Sequence, residues 1–252
     1  MKTVLSLCVI LAGMTATGVV RADVEATITK ARAHLGTEAA LEAVRSVHYV
    51  GTLETIDATP EGPKPVTAQI EIIFQKPYRQ RIVATSNERV EVTALDDYEG
   101  WQRLQNPTDE TQWRLTLLTK DQIKRLRANT WENLAFFRGL DRRGGRIDDL
   151  GLVTLDGRQV QKIGFVHDEN IVFFRYFDPA DGKLILTETE QGGQIREEGE
   201  MLVNGVKFPR KVVTTNKLQN GTQRTVTVTF EKITVNETFA EDLFAVPVMT
   251  AR

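Results

Sequence analysis

Hydrophobic residues recur at two different periods along the chain, and the period changes at Val47. Over residues 23–45 they fall three or four positions apart, which predicts helix, and Gly36 divides this stretch into two segments. From Val47 onward apolar and polar residues alternate, as in VTAQIEIIFQ (66–75). This alternation predicts strands at 66–75 and 79–86, with a tight turn between them.

The second half of the chain contains five dipeptides that are typical of tight hairpin turns. They are Asp156-Gly157, Asp181-Gly182, Gly192-Gly193, Asn204-Gly205 and Asn220-Gly221. The runs between them are long, and those at 206–218 and 222–235 each exceed ten residues. Long strands joined by tight turns predict a broad, twisted antiparallel sheet, which must curl or close to hide its apolar face and its edges.

One segment, residues 119–140, interrupts the alternation and has the composition of one helix or of two short ones. Its apolar side chains form a stripe, with Trp131 at the edge; the stripe consists of Ile123, Leu126, Leu134 and Phe137. Lys124, Arg125 and Arg127 are predicted to face solvent. The chain is therefore predicted to be mainly β with helices (α+β), the helices lying on the concave face of the sheet.

Aromatic residues concentrate around this helical segment, and their simplest role is to pack it against the sheet. A long curled sheet can also enclose more volume than its own side chains fill, and pockets for apolar ligands are mostly hydrophobic. The strand IVFFRYF (171–177) is apolar on both sides, so it is predicted to be covered on both or to face a ligand. The candidate cavity residues are Trp101, Trp113, Leu126, Trp131, Leu134, Phe136, Phe137 and Phe173.

The first residues resemble an export signal: Lys2, an apolar run over residues 4–14, and an A-x-A-like site ending at Ala22. Cleavage after Ala22 predicts secretion across the inner membrane into the periplasm. It leaves residues 23–252, which are predicted to form a single domain because no Pro/Ser/Gly-rich linker divides them. The alternative is an amphipathic N-terminal helix that stays attached.

The only cysteine, Cys8, lies inside the predicted signal, so the mature chain would have no thiol and no disulfide. LAG (11–13) normally precedes a lipid-modified cysteine, but here Met14 follows. The mature protein is therefore predicted to be soluble and not lipid-anchored.

Charge gives little indication of a polyanionic partner. The signal holds two of the 32 basic residues, so the mature chain keeps 30 against 34 acidic ones, a net charge of −4. That balance predicts no binding to nucleic acid and gives no reason to expect binding to anionic headgroups.

The sequence shows no catalytic set. His34, His48 and His167 are far apart and fit no metal or protease spacing, and no serine-nucleophile motif occurs. The carboxylates of DDYEG (96–100) lack the pattern of a calcium loop and are interpreted as a solvated turn. We therefore expect that the protein is not an enzyme and that it binds neither a metal nor a cofactor. An enzyme hypothesis would require a pocket that brings His48 or His167 near carboxylates.

Several segments, in order, resemble the LolA-like superfamily of periplasmic lipoprotein carriers. They are ARAHLGTEAALEAVRSVHYVGTL (31–53), KPYRQRI (76–82), ALDDYEGWQ (94–102) with its D-x-x-G-W turn, VNGVKFPRKVVT (203–214) and ITVNETFAEDLFAVP (233–247). The resemblance implies a large curved antiparallel sheet that forms an incomplete β-barrel, its concave face covered by helices. It carries over no site residue, because the basic residue of the carrier's cavity matches no motif position here.

Two functions follow from this resemblance. The first is a soluble periplasmic carrier that binds lipid or lipoprotein acyl chains in a hydrophobic half-barrel. It would transfer them between membranes through membrane-associated donor or acceptor proteins, with the helix at 119–140 as a movable cover. The alternative is an interaction or sensor module that binds a protein partner and no lipid. The carrier hypothesis predicts that Trp131→Asp or Phe137→Asp abolishes loading and leaves the fold largely intact.

Overall fold

The computed structural model describes residues 17–59, 62–218 and 221–247. Within these ranges there are three α-helices, α1 (Thr17–Leu35), α2 (Glu38–Ala43) and α3 (Lys120–Leu134). The strands are β1 (Ser46–Thr59), β2 (Gly62–Gln75), β3 (Arg79–Thr85), β4 (Val90–Asp96), β5 (Glu99–Asn106), β6 (Asp109–Leu117), β7 (Arg146–Leu155), β8 (Arg158–Asp168), β9 (Ile171–Phe177), β10 (Leu184–Thr189), β11 (Gln194–Val203), β12 (Val206–Lys217) and β13 (Gln223–Val235).

The strands form one antiparallel sheet in the order β6-β5-β4-β3-β2-β1-β13-β12-β11-β10-β9-β8-β7. Consecutive strands pair within β1–β6 and within β7–β13, and β13 pairs with β1 to join these two meanders. The sheet does not close, because β6 and β7 remain as its two edges, and α3 lies in the segment that links them. The predicted fold class is confirmed: a curved antiparallel sheet forms an incomplete barrel with helices on its concave face.

The hairpin predictions agree with the turns between β7 and β13. Asp156 and Gly157 have φ angles of 50° and 77°, and Asn204 and Gly205 have 49° and 79°, the left-handed values that such turns require. Asp181-Gly182 and Gly192-Gly193 lie on either side of β10. Asn220 lies outside the described residues. The structure thus confirms these predicted turns. They were predictable because a tight turn depends on two adjacent residues.

The N-terminal helical stretch divides at Gly36, as predicted. A side chain there is impossible without movement, since a Cβ would lie 2.5 Å from the Gly205 carbonyl oxygen. Of the predicted signal, residues 1–16 lie outside the described residues and residues 17–22 begin α1.

Helix α3 is shorter than the predicted 119–140. It begins with a capping box in which Thr119 and Gln122 bond each other's backbone N–H groups, and it ends at Leu134. Trp131 is buried rather than at the edge of the stripe, being 5% exposed. The expectation for Arg127 is also wrong, because its guanidinium lies 3.7 Å and 4.0 Å from the ring centroids of Tyr78 and Tyr98.

We call the face of the sheet that α3 covers the inner face. Gln80 of β3 points to it, since its side-chain oxygen accepts a hydrogen bond from Thr130 of α3 at 3.2 Å. The opposite, outer face is covered over β2–β5 by the C-terminal segment 237–247. There Phe244 is fully buried and its carbonyl accepts a hydrogen bond of 2.9 Å from the Trp101 indole.

Candidate ligand-binding cleft

The helices leave a cleft on the inner face, bounded by α1, α2, the β2–β3 turn and the segment that links α3 to β7. Its volume is about 1340 Å³, which is above the roughly 300–1,000 Å³ typical of small-molecule pockets. The lining combines an apolar floor with charged residues around it. A cleft of this size and character has room for an amphiphile.

Apolar side chains from all three helices and β7 form the floor. They are Val24, Ile28, Leu41, Trp131, Leu134, Ala135, Phe136, Phe137 and Ile147. Four of the eight side chains singled out in the sequence are among them, namely Trp131, Leu134, Phe136 and Phe137. Each of these four is at most 8% exposed, so it shows only an edge to the cleft and packs mainly in the core.

The other four candidates do not line this cleft. Trp101 lies on the outer face, because the neighbouring Gly100 faces α3 and successive side chains of a strand alternate. Trp113 on β6 is 43% exposed, and Leu126 of α3 is partly buried. Phe173 is buried beneath α3, in the same core cluster as Trp131.

Phe136 and Phe137 both adopt left-handed backbone conformations at the end of α3, with φ angles of 47° and 71°. Non-glycine residues are uncommon there and store strain. The two consecutive rings consequently enter different core clusters, Phe136 beside Phe208 and Phe137 beside Phe177, with centroids 6.4 Å and 5.2 Å apart. Arg32 of α1 donates a 2.7 Å hydrogen bond to the Phe136 carbonyl. Helix α1 therefore holds the end of α3 in place.

The charged residues of the cleft are mostly basic. The basic ones are Arg32, Arg45, Lys76, Arg138, Arg142, Arg143 and Arg146, and the acidic ones are Glu25, Glu42, Asp141 and Asp149. Hydrogen bonds from Arg32 lower the pKa of Glu38, which lies beside the cleft and also pairs with Arg138. The site is thus locally positive although the whole chain is slightly negative.

A buried polar group connects α3 to β8 and β9. Glu132 of α3 contacts the His167 Nε2 at 2.5 Å and forms a close ion pair with Arg175. The pair lacks hydrogen-bond geometry, and the Arg175 Nε and Nη1 have no hydrogen-bond partner. The Arg175 guanidinium lies over the rings of Phe137 and Phe165 at 4.7 Å and 4.9 Å. In the sequence, the only indication of this buried polar group is that Arg175 lies inside the otherwise apolar strand IVFFRYF (171–177).

The structure brings all three histidines near carboxylates, with His34 Nε2 3.5 Å from Glu200. For His48 and His167 this is the proximity that an enzyme hypothesis required. His48 bonds Glu71 and Glu237 at 2.9 Å and 2.8 Å, but on the outer face, where it holds the C-terminal segment. His167 borders a separate cavity of about 150 Å³ and does not line the cleft. His48 thus joins β1 and β2 to the C-terminal segment, and His167 joins β8 to α3. Among the described residues, no group of three or more His, Cys, Asp or Glu could hold a metal ion.

Beyond the helices, the inner face of β1, β2, β12 and β13 carries apolar side chains that are only partly covered. They are Leu53, Val66, Ala68, Ile72, Val212, Val226 and Val228, of which Val66 is 53% exposed. Glu197 faces the same side, opposite Val212. It is accessible to water, yet the curved sheet surrounds it and desolvation raises its pKa, with the charge of Arg175 acting in the opposite direction. The half-barrel therefore has an open, largely apolar interior.

Comparison with solved structures identifies the class of fold. A LolA superfamily protein from Nitrosomonas europaea has a TM-score of 0.55 at 10% identity, covering 88% of this chain and 97% of that one. An outer membrane lipoprotein-sorting protein domain from Vibrio parahaemolyticus has a TM-score of 0.53 at 11% identity, covering 86% and 95%. A DUF1329 family protein from Desulfovibrio piger has a TM-score of 0.54 at 6% identity, covering 90% and 97%.

The chain has a LolA-like fold. No protein-family model and no curated protein matches its sequence. At identities this low the likeness concerns the fold, and function has to be inferred from the site. In the described part of the chain, no helix is both long and apolar enough to cross a membrane.

Proposed function

We propose that this protein is a soluble periplasmic carrier that binds lipid, or the acyl chains of lipoproteins, and moves them between membranes. The observation that supports the proposal most directly is the cleft of about 1340 Å³ with its apolar floor. Burial of hydrocarbon would supply the affinity, at about 0.8 kcal/mol per methylene. No covalent chemistry is needed.

The mechanism requires the helices to act as a movable cover. Helix α3 begins just after the edge strand β6, and a single segment links it to the other edge, so it can shift without breaking the sheet. Polar contacts hold it closed, among them Arg32 to the Phe136 carbonyl and Glu132 to His167. Membrane-associated donor and acceptor proteins would open it. One of the solved structures that shares the fold is a lipoprotein-sorting domain, in keeping with such cargo.

The first test is native mass spectrometry of protein secreted into a bacterial periplasm and purified without detergent, with organic extraction of bound material. Adducts with the mass of phospholipid or acylated peptide would support the carrier. A clean apo mass, without uptake of added fluorescent fatty acid, would contradict it and favour a module that binds a protein partner.

The second test uses a variant whose site is at the surface of the cleft. Trp131→Asp and Phe137→Asp are poor choices, because both side chains are buried in the core and a charge there would damage the fold. Ile147→Glu is better, since Ile147 lines the cleft but is only partly buried. We expect at least a tenfold loss of fatty-acid affinity. Leu152→Glu on the same strand is the matched control, because Leu152 is 61% exposed and lies outside the cleft. Equal affinity of both variants would reject this cleft as the site.

A further inference from the structure

Four basic residues of the cleft form no ion pair in the described part of the chain. We call Arg45, Lys76, Arg142 and Arg143 the basic cluster. They come from three separate places in the chain: the start of β1, the β2–β3 turn and the 3-10 turn before β7. All four line the same cleft as the apolar floor.

The other basic residues of the cleft are paired. Arg32 bonds Glu38, Arg138 contacts Glu25 and Glu38, and Arg146 contacts Asp148. In the described part of the chain, no member of the basic cluster has an ion pair, and the Arg143 guanidinium lies over the Tyr78 ring at 4.5 Å. The four charges of the cluster therefore have no ion-pair partner among the described residues, although the charge of Glu42 acts on Lys76.

Lys76 shows how close these charges are. Burial lowers its pKa, and the charges of Arg45, Arg143 and Arg32 lower it further, while Glu42 acts in the opposite direction. An anion bound here would relieve this repulsion. It would also raise the lysine's affinity for its proton.

We infer that the basic cluster holds the anionic headgroup of an amphiphile, a phosphate or carboxylate, while the hydrocarbon chain lies on the apolar floor of the same cleft. The inference rests on the proposed carrier function and adds the chemical class of its cargo. Arginine suits the task because its planar guanidinium binds phosphate and carboxylate oxygens in pairs. Glu42 and Asp141 also line the cleft and would act against an anion, but the four residues of the basic cluster outnumber them.

This inference reverses the expectation drawn from the net charge. A balance of 30 basic to 34 acidic residues in the predicted mature chain gave no reason to expect anionic ligands. Net charge, however, sums the whole surface, whereas binding depends on the local field within about a Debye length, roughly 8–10 Å. The lining of this cleft contains seven basic and four acidic residues, so its local charge is positive although that of the whole chain is negative.

The test compares three probes with the same palmitoyl chain by isothermal titration calorimetry below their micelle concentrations: lysophosphatidic acid, lysophosphatidylcholine and monopalmitoylglycerol. Inorganic phosphate is titrated separately. We expect the wild type to bind the lysophosphatidic acid most tightly. Arg45→Glu and Arg142→Glu should each weaken that binding at least about fivefold and leave monopalmitoylglycerol unchanged. Both side chains are exposed, so the fold should tolerate the changes.

Lys232→Glu is the matched control, since it makes the same charge change at an exposed position of β13 outside the cleft. It should leave all three affinities unchanged. If the wild type binds the three probes equally, or if Lys232→Glu weakens binding as much as the cleft variants, the headgroup inference is wrong and the carrier proposal stands. If no probe binds, the carrier proposal itself fails. If inorganic phosphate binds as tightly as lysophosphatidic acid, the cluster is a site for the free anion.

Discussion

The two faces of the sheet are covered in different ways. On the outer face, residues 237–247 lie directly on β2–β5, where Phe244 is fully buried and the Trp101 indole donates a hydrogen bond to its carbonyl. On the inner face, three helices pack against the sheet but leave a cleft of about 1340 Å³ between them. Residues 237–247, which we call the outer cover, complete a core. The three helices, which we call the inner cover, leave room for a ligand.

Because of this difference, substitutions in the two covers should affect different quantities, the free energy of unfolding and the affinity for a ligand. A side chain in a filled core contributes contacts on every side, so its loss opens a cavity. A side chain beside an existing cleft has fewer contacts to lose. The outer cover should therefore matter most for the free energy of unfolding, and the inner cover most for affinity.

The largest expected effect is that of Phe244→Ala. Removing this ring should lower the free energy of unfolding by about 3–5 kcal/mol, because it is fully buried and packs edge-to-face on Phe239 at 6.2 Å. The affinity of the remaining folded protein for fatty acid should not change. Urea unfolding followed by fluorescence measures the first quantity, and calorimetry on the folded protein measures the second.

Phe136→Ala is the inner counterpart of that variant. Phe136 is also buried, at 8% exposure, but it is one of the residues that line the cleft. The loss of stability should be smaller than for Phe244→Ala, and the fatty-acid affinity should change. If both variants lose the same stability and neither changes binding, the distinction between the two covers is wrong.

The parts of the fold that could be predicted from the sequence are those encoded by adjacent residues. The Asp-Gly and Asn-Gly turns and the long strands β12 and β13 follow from a few adjacent residues and from alternation. The incomplete barrel was predicted from the order of short motifs that resemble one superfamily. Turn patterns alone do not indicate whether a sheet closes. That β13 returns to β1 is a contact between the two ends of the chain, which no local pattern encodes.

The site was predicted only in part, because burial alone does not say which face a side chain occupies. Trp101 and Trp131 are both buried aromatics, yet they lie on opposite faces, and the C-terminal segment that covers Trp101 comes 143 residues later in the chain. The basic cluster was missed for a related reason. Its members are spread from Arg45 to Arg143, and only the fold brings them to one cleft.

A second, smaller effect is expected at the buried polar group beneath α3. Glu132→Gln should lower the free energy of unfolding by about 3 kcal/mol, because it leaves the Arg175 charge buried without its partner. Amide hydrogen exchange should rise in α3 but not in residues 237–247, since only the inner cover depends on this pair. Exchange that rises equally in both would show that the covers are not independent.

The double variant Glu132→Leu/Arg175→Met makes that test sharper. Replacing a buried ion pair by apolar side chains of similar volume is often close to neutral, so most of the lost stability should return. If Glu132→Gln is as stable as the wild type, the pair contributes nothing to holding α3. If the double variant is as unstable as Glu132→Gln, the loss came from packing and not from an unpaired charge.

The smallest effect is expected at the start of α3, where Thr119 caps the helix. Thr119→Ala removes the hydroxyl that accepts from the Gln122 N–H, which should cost about 1 kcal/mol of stability. Because the cap lies far along the helix from the cleft residues at its end, equilibrium affinity should change little. A helix that acts as a cover should nevertheless open more often, so stopped-flow association of fatty acid should become faster. Thr119→Ser keeps the hydroxyl and should keep the wild-type rate. An unchanged association rate in Thr119→Ala, together with the expected loss of stability, would mean that ligands reach the cleft without movement of α3.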